Sequence, residues 1–294
     1  MDFNHGTELL QLCAEQGLSI SQVMKIRETE ISQMRGEEVE VKMRKALEIM
    51  KNSAKEPLIQ PVKSVEGLIG GEAKKLEEHR RMGKSICGTM LSKAMTYAMA
   101  VLEVNASMGV IVAAPTAGSS GVVPGVLLAL QEEYQLKDEE ILNGLYTAGA
   151  VGYLLMRNAS VAGAEAGCQA EVGAASAMAA AAAVEVMGGS PQMCLDAAST
   201  ALSNLLGLVC DPVAGLVEAP CQTRNSMGSA NALVCAEQAL AGVVQMIPFD
   251  EIAEAMYHVG SSLPFELRER ALGGCSGTDA ACTRTCAIFG GGKA

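Results

Sequence analysis

The sequence predicts an all-α protein, a helical bundle with glycine-rich loops, and three observations support this fold class. Apolar residues recur at helical spacing in most segments, whereas the alternating β-branched pattern of several strands is missing. Hydrophobic residues make up 49% of the 294 residues and aromatic residues only 3%, so the core must be built from Ala, Leu, Val and Met. The 31 glycines allow helices to approach closely and leave irregular backbone between them.

The first three predicted elements form the charged part of the chain. Residues 7–16 have the pattern of a short amphipathic helix, and Gly17 suits its C-terminal end. Ser19 and Ser21 are both plausible N-caps for a second helix, which runs to about Met34. A third helix is predicted from about 37 to 51. These helices are expected to form a surface or a docking face.

A loop is predicted at residues 52–72, where prolines and glycines interrupt the helical pattern. We therefore divide the chain into an N-terminal helical region, 1–55, and a larger helical domain, 56–294. The predicted helices of this domain span about 86–104, 124–134, 138–156, 170–187, 191–206, 229–245, 249–259 and 264–271. One short run, Val110 to Ala114, could be extended.

The charge balance argues against two classes of partner. The chain carries 22 basic and 33 acidic residues, a net charge of −11, which disfavours binding to nucleic acid or to an anionic membrane surface. The N-terminus lacks the pattern of a signal peptide. The most apolar stretch, Gly173 to Gly189, contains Glu185 and is too weakly hydrophobic to span a bilayer comfortably. We expect a soluble, cytoplasmic protein.

Four polar, glycine-rich segments interrupt the apolar background. They are EVNASMG at 103–109, APTAGSSGVVPG at 114–125, RNASVAGAEAGCQAEVG at 157–173 and CDPVAGLVEAPCQTRNSMG at 210–228. Buried polar groups cost about 1–3 kcal/mol each unless they are paired, so their density indicates a functional site or a network of capped helix ends. The turn at 116–124 could bind an anion through backbone N–H groups before a helix, or it could be an ordinary capped turn.

Ten cysteines require an explanation, and three of them lie in these polar segments. Cys168, Cys210 and Cys221 do not have the spacing of zinc fingers. Three thiolates on separate loops could hold three irons of a cubane and leave the fourth open. For any one of them, an ordinary core cysteine is the more common outcome. The three cysteines near the C-terminus are more simply explained by packing or by exposed thiols than by a second metal site; they are Cys275, Cys282 and Cys286.

The four polar segments resemble the iron–sulfur-dependent L-serine dehydratases. The runs EVNASMGVIVAAPTAGSSGVVPG, NASVAGAEAGCQAEVG and CDPVAGLVEAPCQTRNSMG carry the resemblance, together with HGTELLQLCAEQGLSIS and EGLIGG. The similarity is closest to the separate alpha subunit of the two-subunit form. It implies an all-helical catalytic part and a [4Fe–4S] cluster held by Cys168, Cys210 and Cys221.

The resemblance also implies a reaction, the conversion of L-serine to pyruvate and ammonia. The open iron would act as a Lewis acid on the serine hydroxyl, while a base removes the α-proton. Backbone N–H groups at 116–121 are candidates to stabilise the developing negative charge. Six polar residues are candidates for orienting substrate or cluster: Asn105, Ser107, Thr116, Ser119, Ser120 and Asn158. The base could come from this chain, from a partner or from a cluster-bound species.

Two departures from single-chain relatives bear on partners and regulation. This chain lacks their additional N-terminal domain, so a separate beta subunit is expected. It ends AIFGGGKA rather than in a cysteine, so we do not expect the tail to cap the open iron. The alternatives are β-elimination from L-cysteine or L-threonine, a non-catalytic helical subunit with packed cysteines, and a zinc-binding interaction module.

Overall fold

In the computed structural model, which describes residues 1–290, thirteen α-helices are joined by loops and short 3₁₀ turns. This part of the chain contains no strand, only one isolated bridge between Cys210 and Arg268, which confirms the all-α prediction. The helices are α1 (Gly6–Gln16), α2 (Ile20–Ser32), α3 (Gly36–Ile59), α4 (Glu72–Arg81), α5 (Gly88–Ala106), α6 (Val122–Tyr134), α7 (Asp138–Asn158), α8 (Gly163–Ala166), α9 (Ala174–Val186), α10 (Pro191–Ser203), α11 (Cys221–Leu240), α12 (Phe249–Ser262) and α13 (Asp279–Phe289).

Local capping explains the first helices. Gly17 adopts the left-handed conformation and its N–H donates to the Cys13 carbonyl, which ends α1. Ser19 is the N-cap of α2 and forms a reciprocal capping box with Gln22. The buried side chains of α1, α2 and α3 belong to the same hydrophobic core as those of α5, α6 and α7. The division at residue 55 stays a prediction.

The centre of the fold is α9, a helix composed largely of alanine. Every residue from Ala174 to Val184 is buried, and α6, α7, α10 and α11 all pack against this helix. A Cβ atom at Gly152 of α7 would lie 2.9 Å from the side chain of Met178 on α9, so the two helices pack closely. Among the helices of residues 1–290, none is both long enough and apolar enough to cross a membrane.

Helices α5 and α6 also pack closely against each other. A Cβ atom at Gly121 would lie 2.2 Å from the Ala98 carbonyl oxygen, and one at Gly125 would lie 2.8 Å from that of Ala94. Such distances are shorter than any ordinary contact, so these positions require glycine. The contact holds the N-terminus of α6, and the polar turn that precedes it, against α5.

Three sequence predictions were wrong in their boundaries. The predicted loop at 52–72 begins only after Ile59, because α3 continues through Pro57, which is buried in its last turn. The helix predicted at 264–271 is a single 3₁₀ turn at Phe265–Leu267, since Glu269 and Ala271 have positive φ and the backbone here pairs with Cys210. The helix predicted at 229–245 is α11, which begins eight residues earlier and ends at Leu240.

The extended run considered at Val110 to Ala114 is irregular backbone and not a strand. The region between α5 and α6 therefore consists of a loop and one 3₁₀ turn at Ala117–Ser119. This loop lies directly before the polar turn at 116–121, so it places that turn between two close-packed helices.

Enlarging a buried alanine of α9 is expected to destabilise the fold. Ala180 has no exposed surface, so Ala180→Leu has to displace the neighbouring helices and should lower the free energy of unfolding by about 1–3 kcal/mol. Ala14→Leu on α1 is the matched control, because Ala14 is exposed and its change should stay within about 0.5 kcal/mol. Denaturant unfolding measures both, and equal midpoints would contradict the close packing described for α9.

Candidate functional site

Two of the predicted ligand cysteines meet in the structure, together with a carboxylate. The Sγ atoms of Cys168 and Cys210 and one carboxylate oxygen of Glu171 all lie within 4.8 Å of one another. Cys168 and Cys210 are buried, and Glu171 is half-buried. Thiolate and carboxylate groups are metal ligands, so this group of side chains could hold a metal ion.

Cys168 is held by the backbone on both of its sides. Gly167 ends α8 with φ of 74°, and a Cβ atom there would lie 2.7 Å from the Leu208 carbonyl oxygen. The N–H of Gln169 donates to that same carbonyl at 3.0 Å. Residues Gln169–Gly173 form one π-helical turn that leads into α9, an irregularity often found at functional sites. The turn brings Glu171 to the same side as Cys168.

Cys210 is held by the segment that follows α12. Its N–H donates to the Leu267 carbonyl at 2.9 Å, and its own carbonyl accepts from the N–H of Glu269 at 2.8 Å. The next residue, Asp211, is buried and accepts from the N–H of Cys275 at 2.5 Å. The backbone around Cys210 is therefore fixed by residues more than fifty positions away.

Cys221 is the first residue of α11 and is buried. One turn later, the guanidinium of Arg224 lies 3.6 Å from Cys168 Sγ and donates to the Val209 carbonyl at 2.9 Å. The same guanidinium forms an ion pair with Asp211 at 2.7 Å. Arg224 therefore ties the helix that begins at Cys221 to the segments that carry the other two cysteines.

Electrostatics favours a thiolate at one of the two neighbouring cysteines. The hydrogen bond from Cys210 and the charge of Arg224 lower the pKa of Cys168, and they outweigh its burial. The same hydrogen bond, with burial, raises the pKa of Cys210. Burial raises the pKa of the Cys221 thiol and that of the Glu171 carboxyl group. When one of these thiols ionises, the thiolate is therefore favoured at Cys168, beside Arg224.

The polar turn at 116–121 lies against this site. Thr116 Oγ1 donates to Glu171 Oε1 at 2.7 Å and lies 3.1 Å from the buried Ser119 hydroxyl. Asn225 of α11 accepts from the N–H of Gly121 at 3.0 Å and donates to the Gly118 carbonyl at 2.8 Å. Asn225 lies one helical turn after Cys221, so these two bonds fix the 116–121 segment relative to the N-terminus of α11.

The six candidate orienting residues fall into two groups. Thr116 and Ser119 join the site through Glu171, and Ser120 lies in the same turn, where its hydroxyl donates to the Ala117 carbonyl. The other three have no side-chain bond to the cysteine segments among the described residues. Asn105 lies in the last turn of α5, Ser107 donates to Val104 and lines a cavity beside α3, and Asn158 donates to the Asn4 carbonyl.

Four site residues were missed by the sequence reasoning, namely Glu171, Asp211, Arg224 and Asn225. Spacing was the available signal, because Glu171 follows Cys168 by three residues and Arg224 follows Cys221 by three, one helical turn in each case. The segment QTRNSMG was instead interpreted as loop because of its polarity. In the structure this polarity belongs to helical side chains with buried partners.

Comparison with known proteins places the chain in a family. The family profile described as "Serine dehydratase alpha chain" matches residues 15–276. The chain belongs to the serine dehydratase alpha chain family. A protein of Bacillus subtilis named "Probable L-serine dehydratase, alpha chain" is 46% identical over 98% of this chain and 96% of its own length. The "L-serine dehydratase, alpha chain" of Peptoniphilus asaccharolyticus is 46% identical over 94% of both chains.

The serine dehydratase relatives include longer proteins. The "L-serine dehydratase" of Helicobacter pylori is 37% identical over 94% of this chain, which corresponds to 62% of the relative. The range that the family profile matches, residues 15–276, covers the positions of Cys168, Cys210 and Cys221. These comparisons confirm the resemblance that the four polar segments suggested.

The three cysteines near the C-terminus of this serine dehydratase family member are exposed. Cys275 lies beside Asp211, while Cys282 and Cys286 are on α13. The expectation that the tail does not cap the site involves residues 291–294, which lie outside the described part of the chain.

Removing the Asn225 side chain is expected to loosen the turn at 116–121. Asn225→Ala leaves the N–H of Gly121 and the carbonyl of Gly118 without their partner, which should cost about 1–3 kcal/mol of unfolding free energy for each group that stays buried. Thr223→Ala on the same helix is the control, because Thr223 is exposed and should change stability by about 0.5 kcal/mol or less. Chemical denaturation compares them, and equal losses would contradict the role given to Asn225.

Proposed function

We propose that this chain is the catalytic alpha subunit of an L-serine dehydratase, which converts L-serine to pyruvate and ammonia with a separate beta subunit. In this proposal Cys168, Cys210 and Cys221 hold a [4Fe–4S] cluster. The main observation behind the proposal is that Cys168 and Cys210, which come from distant segments, lie close together. Arg224 connects the helix that begins at Cys221 to both of these segments. The names of the two alpha-chain relatives support the reaction and the two-subunit form.

The residues present fit an iron–sulfur cluster. Thiolates are the usual protein ligands of such clusters, and the three cysteines here are buried and free of disulfides. Gly163 packs closely against this group, because a Cβ atom there would lie 2.6 Å from Glu171 Oε2 and 3.2 Å from Cys210 Sγ. Arg224 supplies a positive charge next to Cys168, which favours a thiolate ligand there.

When bound, the cluster would supply a Lewis acid for the departing hydroxyl group of serine. The protein's own contribution begins with two backbone donors. The N–H groups of Ala117 and Gly118 have no acceptor among residues 1–290, whereas those of Ser119, Ser120 and Gly121 are already bonded. Free amides of this kind stabilise an oxyanion, so they suit the carboxylate of serine and the negative charge that develops after α-proton removal.

The choice among serine, threonine and cysteine depends on small differences in the pocket. One methyl group changes the binding energy by about 1–3 kcal/mol, so steady-state rates with the three amino acids rank them. The enzyme, loaded anaerobically and combined with its beta subunit, should deaminate L-serine most efficiently. Failure to deaminate serine under these conditions would reject the proposed reaction.

We also propose that the protein is cytoplasmic. All ten cysteines are unpaired, which suits a compartment that keeps thiols reduced.

Replacement of a ligand cysteine is expected to abolish cluster binding. After anaerobic reconstitution, the wild-type chain should be brown and contain about four irons and four sulfides, whereas Cys168→Ala and Cys221→Ala should lose most of both. Cys235→Ala is the matched control, since Cys235 is also buried on α11 but bonds to Asn204 and Asn231. A colourless wild-type protein, or one that contains tightly bound zinc, would overturn the assignment.

Adding a side chain at Gly163 is expected to impair cluster loading without unfolding the chain. The added methyl group of Gly163→Ala would press on Glu171 and Cys210, so the iron content should fall severalfold. Gly173→Ala is the matched control and should load normally, because a Cβ atom at Gly173 would lie no closer than 3.7 Å to any neighbouring atom. Iron and sulfide analysis compares cluster content in the two variants, and circular dichroism checks that both are folded. Equal cluster content in the two variants would contradict the role of Gly163.

A further inference from the structure

The proposed substrate carries two opposite charges that the site has to accommodate. L-Serine is a zwitterion at neutral pH, with an α-ammonium group and a carboxylate. A charge that loses water on binding is costly unless a partner replaces the water. A site for serine therefore needs hydrogen-bond donors for the carboxylate and an acceptor, preferably negatively charged, for the ammonium group.

Two of the charged side chains around the thiols already compensate one another. Arg224 pairs with Asp211 at 2.7 Å and also contacts Cys168 and the Val209 carbonyl. The second oxygen of Asp211 accepts from the N–H of Cys275 at 2.5 Å. This pair is therefore committed to holding the protein segments together, and it leaves little capacity for a substrate.

Glu171 is different, because it forms no ion pair with any basic side chain of residues 1–290. Its Oε1 accepts from Thr116 Oγ1 at 2.7 Å, which fixes the orientation of the carboxylate. Its Oε2 accepts a weak hydrogen bond from Cys210 Sγ at 3.9 Å and lies against Gly163, where a Cβ atom would be 2.6 Å away. One carboxylate oxygen is thus oriented by Thr116, and the other lies beside the thiol of Cys210.

The turn that carries the free backbone donors lies next to Glu171. A Cβ atom at Gly118 would be 3.2 Å from Glu171 Oε1, so the turn carrying the free N–H groups of Ala117 and Gly118 directly adjoins this carboxylate. A carboxyl acceptor and two unused backbone donors therefore lie next to the thiols. This is the pattern that an α-amino acid requires.

We propose that Glu171 accepts hydrogen bonds from the α-ammonium group of the substrate, while the N–H groups of Ala117 and Gly118 hold its carboxylate. The assignment rests on the proposed function, since it names the contacts of L-serine in that site. It makes Glu171 the residue that selects α-amino acids over carboxylic acids without the amino group.

A pair of unreactive ligands tests the assignment. L-Alanine and propionate have the same carbon skeleton, differ in the ammonium group, and have no β-hydroxyl to eliminate. Calorimetry with the anaerobically loaded enzyme and its beta subunit gives both dissociation constants. The wild type should prefer L-alanine, and Glu171→Gln should weaken L-alanine binding about tenfold, as expected for the loss of a charge-assisted hydrogen bond, without weakening propionate binding.

Glu165→Gln is the matched control. Glu165 lies on α8 in the same segment, but its carboxylate accepts from the Ser160 hydroxyl at 2.6 Å. This variant should keep the wild-type preference for L-alanine. Both variants are expected to retain wild-type iron and sulfide content, which is a readout independent of turnover.

Three results would overturn the assignment. Loss of iron from Glu171→Gln would make the carboxylate a metal ligand, equal weakening of both ligands would indicate a general structural effect, and unchanged L-alanine binding would exclude the contact. These results are separable from failure of the proposed function. A loaded wild-type enzyme that prefers L-alanine but does not deaminate serine refutes the reaction and leaves the Glu171 contact in place.

Discussion

A single side chain, Arg224, connects the three segments on which the site depends. It is one helical turn from Cys221, lies 3.6 Å from Cys168 Sγ, and binds both neighbours of Cys210, the Val209 carbonyl and the Asp211 carboxylate. Charge-assisted hydrogen bonds of this kind are stronger and more directional than neutral ones. Without Arg224, the buried carboxylate of Asp211 would have no compensating charge. The ion pair therefore stabilises the arrangement in which these segments lie together.

The rest of the fold provides a rigid frame for that connection. The alanines of α9 let four helices pack closely around it, and the π-helical turn at its N-terminus presents Cys168 and Glu171. Gly121 brings the start of α6 against α5, which places the 116–121 turn beside Glu171. Small residues thus fix the positions of the polar groups, because close-packed helices cannot shift relative to one another without creating cavities or overlaps.

Local patterns in the sequence predicted the elements that depend on local interactions. Gly17 and Ser19 mark helix ends through contacts within a few residues, and both predictions were confirmed. The irregular backbone at 268–271 was missed because its conformation is set by pairing with Cys210, far away in the sequence. The spacing of Glu171 and Arg224 from the cysteines was a local signal, but their partners Thr116 and Asp211 come from other segments, which no local pattern reveals.

The central claim is that Cys168, Cys210 and Cys221 together hold one iron–sulfur cluster. Anomalous diffraction at the iron edge from crystals of the anaerobically loaded protein tests it most directly. Our account predicts one strong iron peak in contact with all three sulfur atoms and adjacent to Glu171. Iron located instead at the exposed cysteines of the C-terminal segment, or bound by only one of the three buried sulfurs, would contradict it.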